Sequence, residues 1–168
     1  MTTRSDTYDR FADSASEYDV ELTRTTAASL SETLKSVSTM PAVGVPLPWD
    51  DCSLPERIPT DPTPAELDAA ASGVTAASLA VADYGSVVLE ATPGGAEPVS
   101  LFPDQHVVVL RAEDIVPDME TAFEWFGDRL RETRGSAIIA TGPSATADMG
   151  ALVKGAHGPK AVHVVVVT

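Results

Sequence analysis

The chain has 168 residues, 43% of them hydrophobic, enough for one domain with a buried core; with aromatics at only 5%, that core must rest on Val, Ala, Leu and Ile. Its formal net charge is −14, from 25 acidic against 11 basic residues, so its surface repels nucleic acid and anionic membranes. The single cysteine, Cys52, excludes an intrachain disulfide and the usual Cys-rich zinc sites, and no apolar run reaches the length of a membrane span.

The acidic residues are spread along the whole chain, and only Lys35, Lys154 and Lys160 are lysines. This pattern suits a cytoplasm at multimolar salt, where screening falls to about 3 Å and self-repulsion costs little. The melting temperature is therefore expected to rise from low to molar KCl; a flat curve would count against a halophilic host. The N-terminal "MTTRSDTYDR" lacks the apolar core of a secretory signal, which points to a cytoplasmic protein.

Residues 1–15 are polar and predicted to be frayed, with 16–168 forming a single domain. From Tyr18 to Val37 an imperfect apolar stripe predicts a helix. "AVGVPLPW" predicts a short strand, followed by an irregular segment over 46–64 with six prolines. There Cys52 lies beside Asp50 and Asp51, which raise a thiol pKa and argue against a nucleophile. In "TPAELDAAASG", Thr63 as cap, Pro64 at the first position and Glu66 in the first turn predict a compact helix. "VTAASLAVADYGSVVLEA" predicts strand, turn and strand, with the turn at Asp83-Tyr84-Gly85, and "TPGGAEP" a second turn. "HVVVLRA" is a buried strand. "IVPDMETAFEWFGDRLRET" is a helix, with Asp118 and Glu120 at its start and Arg129, Arg131 and Arg134 at its end. "SAIIA" and "AVHVVVVT" are strands separated by a TGPS turn, a predicted short helix and the turn "GAHGP". Strand, helix, strand, helix, strand in the last 60 residues predicts a largely parallel sheet, with ligands beyond the carboxyl ends of its strands.

Candidate chemistry concentrates in the last segment. Gly142 and Pro143 shape the turn, Ser144 or Thr146 caps the predicted helix, and the free N–H groups at its start suit a small anion. Asp148 falls in its first turn, so capping alone is the competing explanation for Ser144 and Asp148. "GPSATAD" is neither a phosphate-binding P-loop nor a dinucleotide fingerprint. His157 stands between Gly155 and Gly158, next to Lys154, one of three lysines; it is either a surface loop residue or a ligand-facing one. Asp83, Gly85 and Ser86 form ordinary hairpin-turn chemistry. Asp104 and His106, at the amino end of a strand, are expected away from the site, and His163 to be a core histidine. Glu90 is the one glutamate at a strand end, and no serine nucleophile elbow is present. The expected pocket joins Asp83, Gly85, Ser86, Gly142, Ser144, Thr146, Asp148, Lys154, His157 and Gly158. His157 and Asp148 are the catalytic candidates, Asp148 orienting His157 or a ligand hydroxyl. No metal, flavin or iron–sulfur cluster is expected, given one thiol and histidines 106, 157 and 163 with no ligand-like spacing.

Taken together, "GVTAASLAVADYGSVVLEA", "SLFPDQHVVVLRAEDIVPDMETAF" and "ATGPSATADMGALVKGAHGPKAVHVVVV" resemble the LUD domain family in its LutC/YkgG branch, over residues 73–167. Ser86 stands where the family usually has Thr, and Gly150 where an acidic residue often follows the signature aspartate. The resemblance implies a Rossmann-like three-layer α/β/α sandwich similar to the NagB/RpiA/CoA-transferase group, with a mostly parallel sheet and a β-hairpin. It also implies a part in oxidising L-lactate to pyruvate beside LutA-like and LutB-like iron–sulfur proteins. The alternative is a stand-alone enzyme or binding protein for a sugar phosphate or acyl-CoA, as in fold relatives, and a homo-oligomer is compatible with either.

Overall fold

The computed structural model describes residues 4–168. Its centre is a five-stranded, fully parallel sheet of β1 (Glu21–Thr25), β11 (Ala161–Val167), β6 (Gln105–Arg111), β3 (Ser72–Ala76) and β2 (Ala42–Gly44), in that spatial order. The two middle strands, β6 and β11, are almost wholly buried, which is why both read as continuous valine-rich runs.

Alternation along these strands divides the core. Val107, Val109, Val165 and Val167 pack with Leu30 and Leu34 of α2 (Leu30–Val37) and with Cys52 and Ile58 of the Pro-rich loop. Val108, Leu110, Val162, Val164 and Val166 face the opposite way, against a second sheet and α1 (Arg4–Ser16). The second sheet has the order β7 (Ile115–Val116), β4 (Leu79–Val81), β5 (Ser86–Glu90), β8 (Ala137–Ala140). Val87 and Leu89 of β5 point to the parallel sheet, while Val88 points outward to Ala122 and Phe126 of α5 (Met119–Thr133). The result is the expected mixed α/β fold with a mainly parallel central sheet and an antiparallel β4–β5 hairpin. Where a three-layer α/β/α sandwich would place helices on both faces, however, the second sheet with α1 covers one face of the parallel sheet.

Two helix signals hold in detail. Thr63 and Glu66 form a reciprocal capping box on α3 (Pro64–Ala69), and Asp118 accepts from the Thr121 amide at 2.8 Å to open α5.

Several expectations are corrected. Residues 4–15 are not frayed: they belong to α1, whose Phe11 and Ala15 are fully buried; the first three residues of the predicted 1–15 tail lie outside the described residues. The stripe Tyr8, Phe11, Ala15 has helical spacing and was the available signal. The predicted helix from Tyr18 begins only at Leu30. Glu21–Thr25 pairs with β11, and Val20 and Leu22 enter the core two residues apart, as a strand requires. The predicted turn "TPGGAEP" turns at Pro93-Gly94, but its last residues already belong to α4 (Ala96–Leu101). Gly73 permits this, because any Cβ there would overlap the Val99 carbonyl of α4. β8 does not join the parallel sheet; it pairs antiparallel with β5 and ends the second sheet. The predicted short helix after TGPS is a hairpin, β9 (Ala145–Asp148) with β10 (Ala151–Lys154), closed at Met149-Gly150 with φ of 48° and 78°.

Candidate functional site

Three turns meet where the two sheets diverge. β8 ends at Ala140, and Thr141 Oγ1 lies 2.6 Å from Ser86 Oγ, tying the end of β8 to the start of β5. Gly142 follows with φ 65°, and a Cβ there would lie 2.7 Å from Tyr18 Cβ and 2.9 Å from the Tyr18 carbonyl oxygen. Gly85 closes the Asp83 turn with φ 62°, pressed against the Ala15 backbone of α1. Gly142→Val is therefore expected to cost about 1 kcal/mol or more, from left-handed strain and the clash with Tyr18. A lower urea midpoint checks it; an unchanged midpoint would show that the turn relaxes freely.

The two turns of the last segment are joined by backbone. The Ser144 amide donates to the Pro159 carbonyl at 2.8 Å, and the Gly155 amide to the Ser144 carbonyl at 2.9 Å. Gly158 sits against Ser144, where an added Cβ would approach the Ser144 Cβ at 3.0 Å; unlike Gly85 and Gly142, it does not have positive φ.

Together these turns border a cleft of about 510 Å³. Its floor is Val162 and Val164 of β11 and His106 of β6; its second wall is Val87 and Leu89 of β5 with Ile138 and Ala140 of β8. Ser100 and Leu101 of α4 close one end, and Tyr18, Gly142, Ser144, His157 and Gly158 form the rim.

Of the predicted site residues, Gly85, Gly142, Ser144, His157 and Gly158 line this cleft. Ser86 is one step behind it, holding Thr141. Asp83 faces the other way and pairs with Arg10. Thr146, Asp148 and Lys154 stand on the β9–β10 hairpin outside the cleft lining, and Lys154 is paired with Asp19 at 2.6 Å. The proposed use of Asp148 to orient His157 has no hydrogen bond behind it among the described residues, and the helix N-terminus expected to greet an anion does not exist, because the segment is a hairpin.

The location is corrected too. The cleft lies at the amino ends of β6 and β11, not at the carboxyl edge of the parallel sheet; only β8 ends there. His106, expected to be remote, is therefore a floor residue, 3% exposed, with Nε2 2.8 Å from Thr75 Oγ1. Burial lowers its pKa to about 4, so it is neutral at physiological pH. His163 is the core histidine expected: Nε2 lies 2.8 Å from Thr23 Oγ1 and Nδ1 3.1 Å from Glu21, and burial outweighs Glu21 to hold its pKa below the usual value.

Glu90 is structural. Burial pushes its carboxyl up, but hydrogen bonds from Arg129 at 2.8 Å and Ser78 at 2.6 Å outweigh that and leave it below the ordinary carboxylate range. The Cys52 thiol is buried and pushed up, first by burial and then by Asp51, against the opposing pull of Arg111. No group of three or more His, Cys, Asp or Glu side chains suited to a metal occurs among the described residues, and no helix is long and apolar enough to cross a membrane.

Comparison with known proteins gives a consistent picture. Residues 60–167 match the LUD domain. Lactate utilization protein C of Deinococcus radiodurans is 30% identical over 98% of this chain and 81% of its own length. Lactate utilization protein C of a Geobacillus species is 32% identical over 84% of this chain and 70% of its length. A crystal structure of a DUF162 family protein from Deinococcus radiodurans shares the fold, with a TM-score of 0.76, 24% identity and 99% of each chain covered.

Proposed function

The chain belongs to the LUD domain family, and from that premise we propose that it serves lactate utilization as a subunit or accessory protein beside LutA-like and LutB-like iron–sulfur proteins, which carry the oxidation of L-lactate to pyruvate. Relatives named Lactate utilization protein C support the role in lactate utilization, and the alignment along 98% of this chain is the observation that carries the reading. A single cysteine favours assigning the clusters to the partners, since such clusters are held by sets of thiolates. The cleft between the sheets is the ligand-binding part of this protein, with His157 and Ser144 offering hydrogen bonds at its rim. A sugar phosphate or acyl-CoA fits it less well, because no lysine or arginine lines it.

Growth on L-lactate as sole carbon source tests this. Deleting the gene should abolish growth, the wild-type copy should restore it, and His157→Ala should fail to restore it while melting within a few degrees of wild type. Full growth of the deletion strain on lactate would refute the role. Growth rescue by His157→Ala would remove His157 from the site while leaving the role standing.

A further inference from the structure

The cleft is as informative in what it omits as in what it contains. Charged residues make up 21% of the chain, yet no Asp, Glu, Lys or Arg lines this cavity. The nearby lysines are committed elsewhere, Lys154 to Asp19 at 2.6 Å and Lys160 to Asp104 at 3.1 Å. The ionisable lining residues are Tyr18, His106 and His157, and His106 is held neutral by burial. A three-carbon hydroxy acid would meet no fixed cation in this cleft to hold its carboxylate.

The walls instead suit an apolar body. Val87, Leu89, Val162, Val164, Ile138 and Ala140 present hydrocarbon from both sheets. A few polar groups are set among them: Tyr18, Ser144 and His157 at the rim, Thr141 at the end of β8, His106 at the floor, and Ser100, whose hydroxyl already donates to the Glu97 carbonyl at 2.7 Å. The volume falls within the roughly 300–1,000 Å³ of pockets that enclose drug-sized molecules, which typically combine apolar walls with a few placed polar groups.

We propose that this cleft binds an uncharged, largely apolar molecule carrying hydrogen-bonding oxygens, with the chemistry of a substituted quinone, and not lactate or pyruvate themselves. This deepens the reading of the cleft as the ligand site of a lactate-utilization protein. It is tested on the purified chain, so binding and growth on lactate can fail separately.

The experiment titrates the protein with Nile red, a neutral apolar fluorophore, and then competes it with menadione, L-lactate, pyruvate or inorganic phosphate. The expected result is saturable binding at one site per chain, displaced by menadione and unaffected by millimolar lactate, pyruvate or phosphate. Ala140→Trp fills the cavity from β8, and Ser144→Trp covers its mouth; each should weaken Nile red binding at least tenfold. Should the larger residue at 140 unfold the protein, the rim variant carries the test alone, with its melting temperature as control. Displacement of the dye by lactate, pyruvate or phosphate but not by menadione, or unchanged binding in Ser144→Trp, overturns the proposal.

Discussion

Phe11→Ala is expected to destabilise the protein by about 3–5 kcal/mol, the usual cost of removing a fully buried aromatic side chain and leaving a cavity. Phe11 is 0% exposed and packs in the cluster that joins α1 to both sheets. Against the roughly 5–15 kcal/mol of total stability typical of folded proteins, the loss is large. At about 2–4 °C per kcal/mol for a chain of this length, it should lower the melting temperature by roughly 6–20 °C. The neighbouring Asp9→Ala, on the exposed side of the same helix, should change it by no more than about 0.5 kcal/mol and serves as the control. Identical melting of Phe11→Ala and wild type would mean that α1 does not belong to the core.

Lowering the pH from 7 to 5 is expected to remove about 2 kcal/mol of stability through His106 alone. The sign follows from proton uptake. The folded pKa is about 4, whereas an imidazole free in water titrates near 6.5. Between these values the unfolded chain binds a proton that the folded chain refuses, so stability is complete above about pH 6.5 and is lost as pH falls towards 4. The full difference is worth roughly 3 kcal/mol. His163 acts in the same direction, burial lowering its pKa against the pull of Glu21. Asp114 acts in the opposite direction, because burial and Glu113 raise its pKa. Urea titrations at pH 7 and 5 measure the slope, and His106→Gln, which keeps a group able to hydrogen-bond Thr75, should flatten it. Equal slopes in wild type and His106→Gln would show that His106 takes up its proton in the folded protein as readily as in the unfolded chain.

Local chemistry alone specified much of the fold. Two valine-rich runs had to be buried strands, and they became the two middle strands β6 and β11. Asp118 and the Thr63–Glu66 pair fixed two helix starts, because a cap and the amides it satisfies lie within one turn of each other. Gly85 and Gly142 marked turns with positive φ, since glycine, lacking a Cβ, takes that conformation at the least cost. The motif of two turns around Ser144 and His157 likewise marked residues that share one cleft.

What the sequence left open depends on partners far along the chain. "SAIIA" reads as a strand in any sheet, and only pairing with β5 places it in the second one. One miss was local instead: "TADMGALVK" carries small residues without a decisive period, and its own short-range pairing, with the Gly155–Ser144 bond, forms a hairpin where a helix was expected. His106 shows the dependence on distant partners at the site. Its place at the start of β6 was plain, but the second sheet packing over that amino end is what turns it into the floor of a cavity. The sequence by itself determined the elements whose hydrogen bonds and burial close within a few residues; the tertiary structure alone decided which strand edges pair and which sheet end is covered, because those energies exist only once distant segments meet.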